Sequence, residues 1–131
     1  MIKQNEMTPL EAVTHLFTCL ILADGRMDFE ERESWAEAIS DLFPDHSPDK
    51  ALEFLQDATR ALLAMDSYSR RNYAIRISTK IKDHFSQEDL QNKFGPKVAA
   101  LVEADGMVFQ SEKEMVADIE KELGIEITLE D

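Results

Sequence analysis

The amino-acid sequence predicts a single all-α domain over residues 1–131, built as a bundle of about seven helices. Apolar side chains recur at intervals of three and four residues in one segment after another. Helix start signals such as Thr-Pro at 8–9 and Ser-Pro at 47–48 stand before these segments, and Pro or Gly follows several of them. No segment before the C-terminal tail alternates as a strand would, so the pattern favours helices.

Each of the first four predicted helices is preceded by a capping residue that fixes where the helix begins. The expected caps of these helices are Thr8, Asp28, Ser47 and either Asp66 or Ser67. The expected ends of the first three are Asp24-Gly25, Pro44 and the region of Met65. We expect Gly25 to adopt a positive φ, which glycine does at no steric cost.

Three further helices and a tail complete the predicted fold. A short fifth helix begins at Ser86 and ends at Gly95, and Pro96 opens a sixth. The sixth ends at Asp105-Gly106, and a seventh stops at Gly124. The tail I-E-I-T-L-E-D alternates in hydrophobicity, which indicates a short extended segment.

The charge of the chain restricts its partners. With 14 basic and 27 acidic residues the net charge is −13, which repels nucleic acid and attracts cations and basic partners. The segment 67–85 is basic, with five Lys or Arg and one Asp. We expect a cytoplasmic protein, because there is one cysteine, no signal-peptide pattern and no transmembrane segment. A protein partner is expected, but the sequence does not identify it. Participation in a peripheral membrane complex is compatible with the sequence, and so is any oligomeric state.

One short motif occurs twice. L-A-D-G-R-M-D-F-E-E-R-E at 22–33 aligns with E-A-D-G-M-V-F-Q-S-E-K-E at 103–114, so Ala-Asp-Gly and a later Glu coincide. Each copy stands between two predicted amphipathic helices. The chain therefore reads as two pseudo-repeated helix–Asp-Gly turn–helix units, about 80 positions apart.

The motif resembles the second half of an EF-hand calcium loop, but the first half is missing. If Asp24 stands at position 5 of that loop, positions 1 and 3 are Leu20 and Leu22, which offer no oxygen ligand. In the second copy position 1 is Leu101. The chemistry excludes an EF-hand of the usual kind.

Two interpretations of the acidic residues remain open. Side chains that could hold a hard divalent cation (Ca²⁺, Mg²⁺, Mn²⁺ or Zn²⁺) are Asp24, Asp28 and Glu31 in the first copy, and Asp105 and Glu112 in the second. Alternatively, Asp-Gly is a common turn, and Asp28 with Glu31 forms a capping box that needs no metal and no other cofactor.

The two A-D-G…E units in an acidic helical chain of this length resemble the TerB-like family, named from tellurite resistance. The resemblance covers nearly the whole chain, and M-D-S-Y-S-R-R before the basic helix agrees with it. It implies a seven-helix bundle with pseudo-twofold repeats, no known catalytic activity, and work through complexes in metal or stress responses. It also implies that Asp24, Glu31, Asp105 and Glu112 belong to an acidic, cation-associated surface. The chain departs from the family pattern at Phe109, where a small polar or acidic residue is usual.

No catalytic constellation accompanies these motifs. Cys19 and Trp35 are expected in the core, and the three histidines, His15, His46 and His84, stand apart from one another. Basic residues of the fourth helix, among them Arg70 and Arg71, could dock an acidic partner or pair with the chain's own acids. We therefore expect a non-enzymatic interaction domain. The alternative is a small metal-dependent hydrolase with a two-metal carboxylate site.

Overall fold

A computed structural model describes residues 7–24, 27–104, 106 and 108–129, with the backbone alone at Asp24. Over these residues the chain forms six helices and no strand, which confirms the all-α class. The helices are α1 (Pro9–Ile21), α2 (Phe29–Leu42), α3 (Pro48–Leu63), α4 (Ser67–Lys82), α5 and α6 (Gln110–Leu123). The helix α5 is continuous through Gln87–Asp89, Leu90–Phe94 and Gly95–Val102, and a single 3₁₀ turn, Leu22–Asp24, follows α1.

The helix count differs from the predicted seven because α5 does not break at Gly95-Pro96. Its middle turn, Leu90–Phe94, is a π-helix in which Gly95 donates its N–H to the Leu90 carbonyl. Pro96 has no N–H to donate and its ring crowds the carbonyl four residues earlier, which the wider π turn accommodates. Phe94 and Val98, on either side of Gly95-Pro96, are both fully buried, so packing favours one continuous helix.

Most predicted helix starts are confirmed by hydrogen bonds that backbone amides donate to side-chain oxygens of the cap residues. The Thr8 hydroxyl accepts from Glu11 N at 3.1 Å, and the Asp66 carboxylate accepts from Ser69 N at 2.7 Å. Ser47 and Ser86 cap α3 and α5 in the same way. These bonds satisfy amides that a helix start otherwise leaves without an intrahelical partner.

The core is built around α1. Every residue from Ala12 to Leu22 is buried, and α1 packs mainly against α3 and α4, with α2 and the second half of α5 also in contact. Phe17 meets Phe94 with ring centroids 5.8 Å apart. A single hydrophobic cluster contains residues from all six helices. Each large side chain buried in this cluster contributes roughly 1.5–3 kcal/mol to folding.

The C-terminal tail packs on α5 and α6 without forming a strand. The helix α6 ends at Gly124, which has φ +69° and sends the chain back across α5. Ile125 and Ile127 are buried whereas Glu126 and Thr128 are exposed, as the predicted alternation requires. The Gln91 amide bonds both backbone groups of Glu126, accepting from its N–H at 2.9 Å and donating to its carbonyl at 2.8 Å.

None of the helices in the described part of the chain combines the length and the apolar character that crossing a bilayer requires.

Candidate functional site

The first junction connects α1 to α2. The chain leaves α1 through the 3₁₀ turn Leu22–Asp24 and enters α2 after Asp28, whose backbone is extended with φ −89° and ψ 156°. Glu31, the third residue of α2, is 1% exposed, and its Oε1 accepts the Asp28 N–H at 3.3 Å. This bond is half of the predicted capping box, and it holds the Glu31 carboxylate against the turn.

The second junction connects α5 to α6 and ends in the same way. Gly106 has φ +84°, and the residue before α6, Phe109, is extended with φ −80° and ψ 157°. Glu112, the third residue of α6, is 1% exposed, and its Oε1 accepts the Phe109 N–H at 2.9 Å. Because Phe109 has no side-chain acceptor, Glu112 provides the side-chain cap here without the reciprocal bond.

The two junctions share a local geometry at the start of the helix that follows each of them. Each places a buried glutamate in the first turn of the following helix and bonds it back to the preceding amide. A carboxylate is favoured in this position, because the helix dipole is positive at its N-terminal end. The similarity between the two junctions is limited to the residue before each helix and the glutamate in its first turn. The repeat of whole helix–turn–helix units stays a prediction.

The predicted site residues fall into two groups. Asp28, Glu31 and Glu112 are described, and each has further contacts beyond the bonds given above. The side chain of Asp24, the whole of Asp105 and the expected positive φ of Gly25 lie outside the described residues. Within the described part of the chain, no three His, Cys, Asp or Glu side chains come together as a metal-holding group.

The donor chemistry of the first junction suits a hard cation better than that of the second. Asp28 and Glu31 place two carboxylates within three positions, and Asp24 precedes them at the end of the 3₁₀ turn. Carboxylate and carbonyl oxygens are the ligands that Ca²⁺ and Mg²⁺ prefer. At the second junction Phe109 replaces the counterpart of Asp28, which leaves that site one oxygen ligand short.

A long-range contact secures the first junction. Arg70 on α4 donates from Nη1 to the Leu22 carbonyl at 2.9 Å, and α6 packs against the same 3₁₀ turn. The 3₁₀ turn that carries Asp24 therefore lies between the first turn of α4 and the helix α6. No local signal in the sequence indicates this contact, because Arg70 and Leu22 are 48 positions apart.

The other candidate residues have structural roles. Cys19 is buried in the core, and this burial raises the pKa of its thiol to about 12, so the thiolate needed for reaction is scarce at neutral pH. Trp35 donates to the Thr14 hydroxyl at 3.3 Å. His15 shares a 2.7 Å hydrogen bond with the Tyr73 hydroxyl, and burial lowers the pKa of this imidazole.

Comparison of the chain with models of known protein families, with curated proteins and with solved structures found no match.

Proposed function

We propose that the protein is a non-enzymatic, acidic interaction domain of the TerB-like kind, which acts in a metal or stress response and binds a divalent cation at its first Asp-Gly junction. The observation that carries the proposal is the pair of buried glutamates. Glu31 and Glu112 lie at the same position of two similar junctions, and each is almost completely removed from solvent. Each glutamate turns its carboxylate back to the amide before its helix, which holds an oxygen ligand in a fixed place at the junction.

The cation would act on the geometry of a helix pair. Clustered carboxylates repel one another, and a divalent ion that neutralises them favours a closer approach of Asp24 to the first turn of α2. Since α6 packs against the turn that carries Asp24, a change in that turn is passed on to α6. A change in the packing of this turn would expose or shield a partner surface.

Calorimetric titration of metal-free protein tests the cation part of the proposal. Ca²⁺, Mg²⁺, Mn²⁺ and Zn²⁺ are added in turn to the wild type, to Asp24→Asn/Glu31→Gln, and to Glu30→Gln/Glu33→Gln. The last variant is a matched control, because it removes two exposed charges from α2 and keeps all three junction acids, Asp24, Asp28 and Glu31. We expect saturable heat with the wild type and the control, and none with Asp24→Asn/Glu31→Gln.

Absence of saturable heat in the wild type would contradict the cation site and leave Glu31 as a helix cap. The hydrolase alternative makes a different prediction. It requires turnover of generic phosphate esters with Mn²⁺ that is lost in both Asp24→Ala and Asp105→Ala, whereas a non-enzymatic domain shows no turnover in any form.

A further inference from the structure

The C-terminal tail lies in a groove on α5 much as a bound peptide would. Gln91 of α5 bonds both backbone groups of Glu126, and the Glu120 carboxylate of α6 accepts the Ile127 N–H at 2.6 Å. These bonds join the tail backbone to side chains, so they hold it without making it part of a helix or a sheet. We call this place the tail groove.

Apolar contacts with α5 set the spacing of side chains that the tail groove accepts. Ile125 and Ile127 are 6% and 7% exposed. A Cβ atom added to Gly95 would lie 3.5 Å from Ile125 Cδ1 and 3.7 Å from Ile127 Cγ1, so the absent side chain lets both isoleucines approach the helix backbone. The tail groove therefore accepts branched aliphatic side chains at alternate positions of an extended segment.

The tail leaves space beside itself. A cavity of about 370 Å³ lies between α5 and the tail. Its wall on α5 contains four small or apolar residues, Gly95, Pro96, Ala99 and Ala100. The tail contributes Glu126, Ile127 and Thr128 to the opposite wall. The tail groove is therefore wider than the segment that occupies it, and side chains longer than those of the tail can enter.

The charge of this cavity is negative. Its charged lining residues are Glu103, which also has another contact, and Glu126 of the tail. Among the described residues neither Lys nor Arg lines it, and the lysines of this part of α5, Lys93 and Lys97, pair with aspartates elsewhere. The tail thus brings an acid to a wall that already carries one, where a base is favoured. The net charge of −13 attracts basic segments to the same place.

We propose that the tail groove binds an extended segment of a partner protein, with branched aliphatic residues at alternate positions and Lys or Arg between them. The tail occupies the groove when the partner is absent. The inference rests on the proposed interaction function and deepens it by naming the partner's chemistry and the place where it is held. It does not depend on cation binding, so this experiment and the calorimetric titration can fail separately.

Fluorescence anisotropy of labelled, end-blocked peptides tests the proposal on the full chain. G-I-K-I-K-L has the proposed chemistry, G-I-E-I-E-L carries acids in place of the bases, and G-S-K-S-K-L lacks the isoleucines. The proteins are the wild type and Ile127→Ser, which removes an apolar contact of the tail and leaves the α5 side of the groove unchanged. Because the attached tail competes with any incoming segment, Ile127→Ser should bind the first peptide roughly tenfold more tightly than the wild type.

The peptides and a second substitution separate specific docking from general attraction to an acidic protein. In Ile127→Ser we expect weaker binding of G-I-E-I-E-L and no saturable binding of G-S-K-S-K-L. Adding Gln91→Ala to this variant removes the bonds to the bound backbone and should weaken binding of the first peptide roughly tenfold. Asn92→Ala in the same variant is the matched control and should leave binding unchanged.

NMR of the wild type gives a measurement that needs no variant. Saturation with G-I-K-I-K-L should shift the Glu126 amide toward its position in a free peptide, because the tail leaves Gln91. Several results would overturn the proposal: no saturable binding of the first peptide, equal binding of the first and third peptides, equal binding by the wild type and folded Ile127→Ser, or a Glu126 amide that stays in place at saturation.

Discussion

At the scale of single residues, the junction glutamates combine two requirements that usually conflict. Burial of a carboxylate costs free energy, and the start of a helix needs acceptors for its free amides. Glu31 and Glu112 meet both by turning back on the amide before their helix. The second junction depends more on its glutamate, because Phe109 supplies no side-chain oxygen.

We expect Glu112→Ala to lower the free energy of unfolding by about 1–3 kcal/mol, since the Phe109 amide loses its acceptor and the cap is lost. Glu112→Gln keeps an oxygen at the same place and should cost less. Urea denaturation of both variants measures the difference. Equal losses in Ala and Gln would show that the charge, rather than the hydrogen bond, is what α6 requires.

The buried thiol and phenol predict a loss of stability at alkaline pH. Burial raises the pKa of Cys19 from 9.0 and of Tyr73 from 10.0, each to about 12. The native state therefore keeps protons that the unfolded chain releases, so stability is complete below pH 9 and declines as pH rises from 9 to 12.

Urea denaturation at several pH values from 7 to 11 checks this decline. Cys19→Ala should reduce the slope between pH 9 and 10 and leave the contribution of Tyr73 above pH 10. Parallel pH profiles for the wild type and Cys19→Ala would mean that the thiol is not protected in the native state.

At the scale of elements, the sequence predicts those helix starts and ends that depend on a capping residue or a glycine at the helix terminus. Thr8, Ser47 and Asp66 cap the helices they were expected to cap, and Gly124 ends α6 in the left-handed conformation. Gly95-Pro96 is as strong a local signal for a helix end as Gly124. The helix α5 nevertheless continues through it, because the residues on both sides, Phe94 and Val98, are buried in the core. Tertiary packing of this kind leaves no local pattern.

The attachment of the tail to α5 is a second element-scale feature, and the Gln91 side chain makes the bonds that hold it at Glu126. We expect Gln91→Ala to remove both bonds to the Glu126 backbone and to lower the free energy of unfolding by about 1–2 kcal/mol. Hydrogen exchange at the Glu126 amide should accelerate. Asn92→Ala, an exposed neighbour on α5, is the control and should leave the exchange rate unchanged.

At the scale of the whole molecule, the chain arranges its charges around one core. Both motifs and the capping bond of Glu31 are predictable from the sequence, because they are local. The contact of Arg70 with Leu22 is not predictable in this way, because it joins residues 48 positions apart. The fold thus places the Arg70 guanidinium against the turn that leads into the first junction, on a protein of net charge −13.

Residue-resolved NMR can show whether the first Asp-Gly junction binds a divalent cation, as proposed. Amide spectra are recorded with Ca²⁺ or Mg²⁺ at ionic strength held constant with KCl, because general screening also acts on a protein of this charge. We expect saturable shifts centred on residues 24–31 in the wild type, and no such shifts in Asp24→Asn/Glu31→Gln. Shifts spread over the acidic surface, or equally present in that variant, would contradict it.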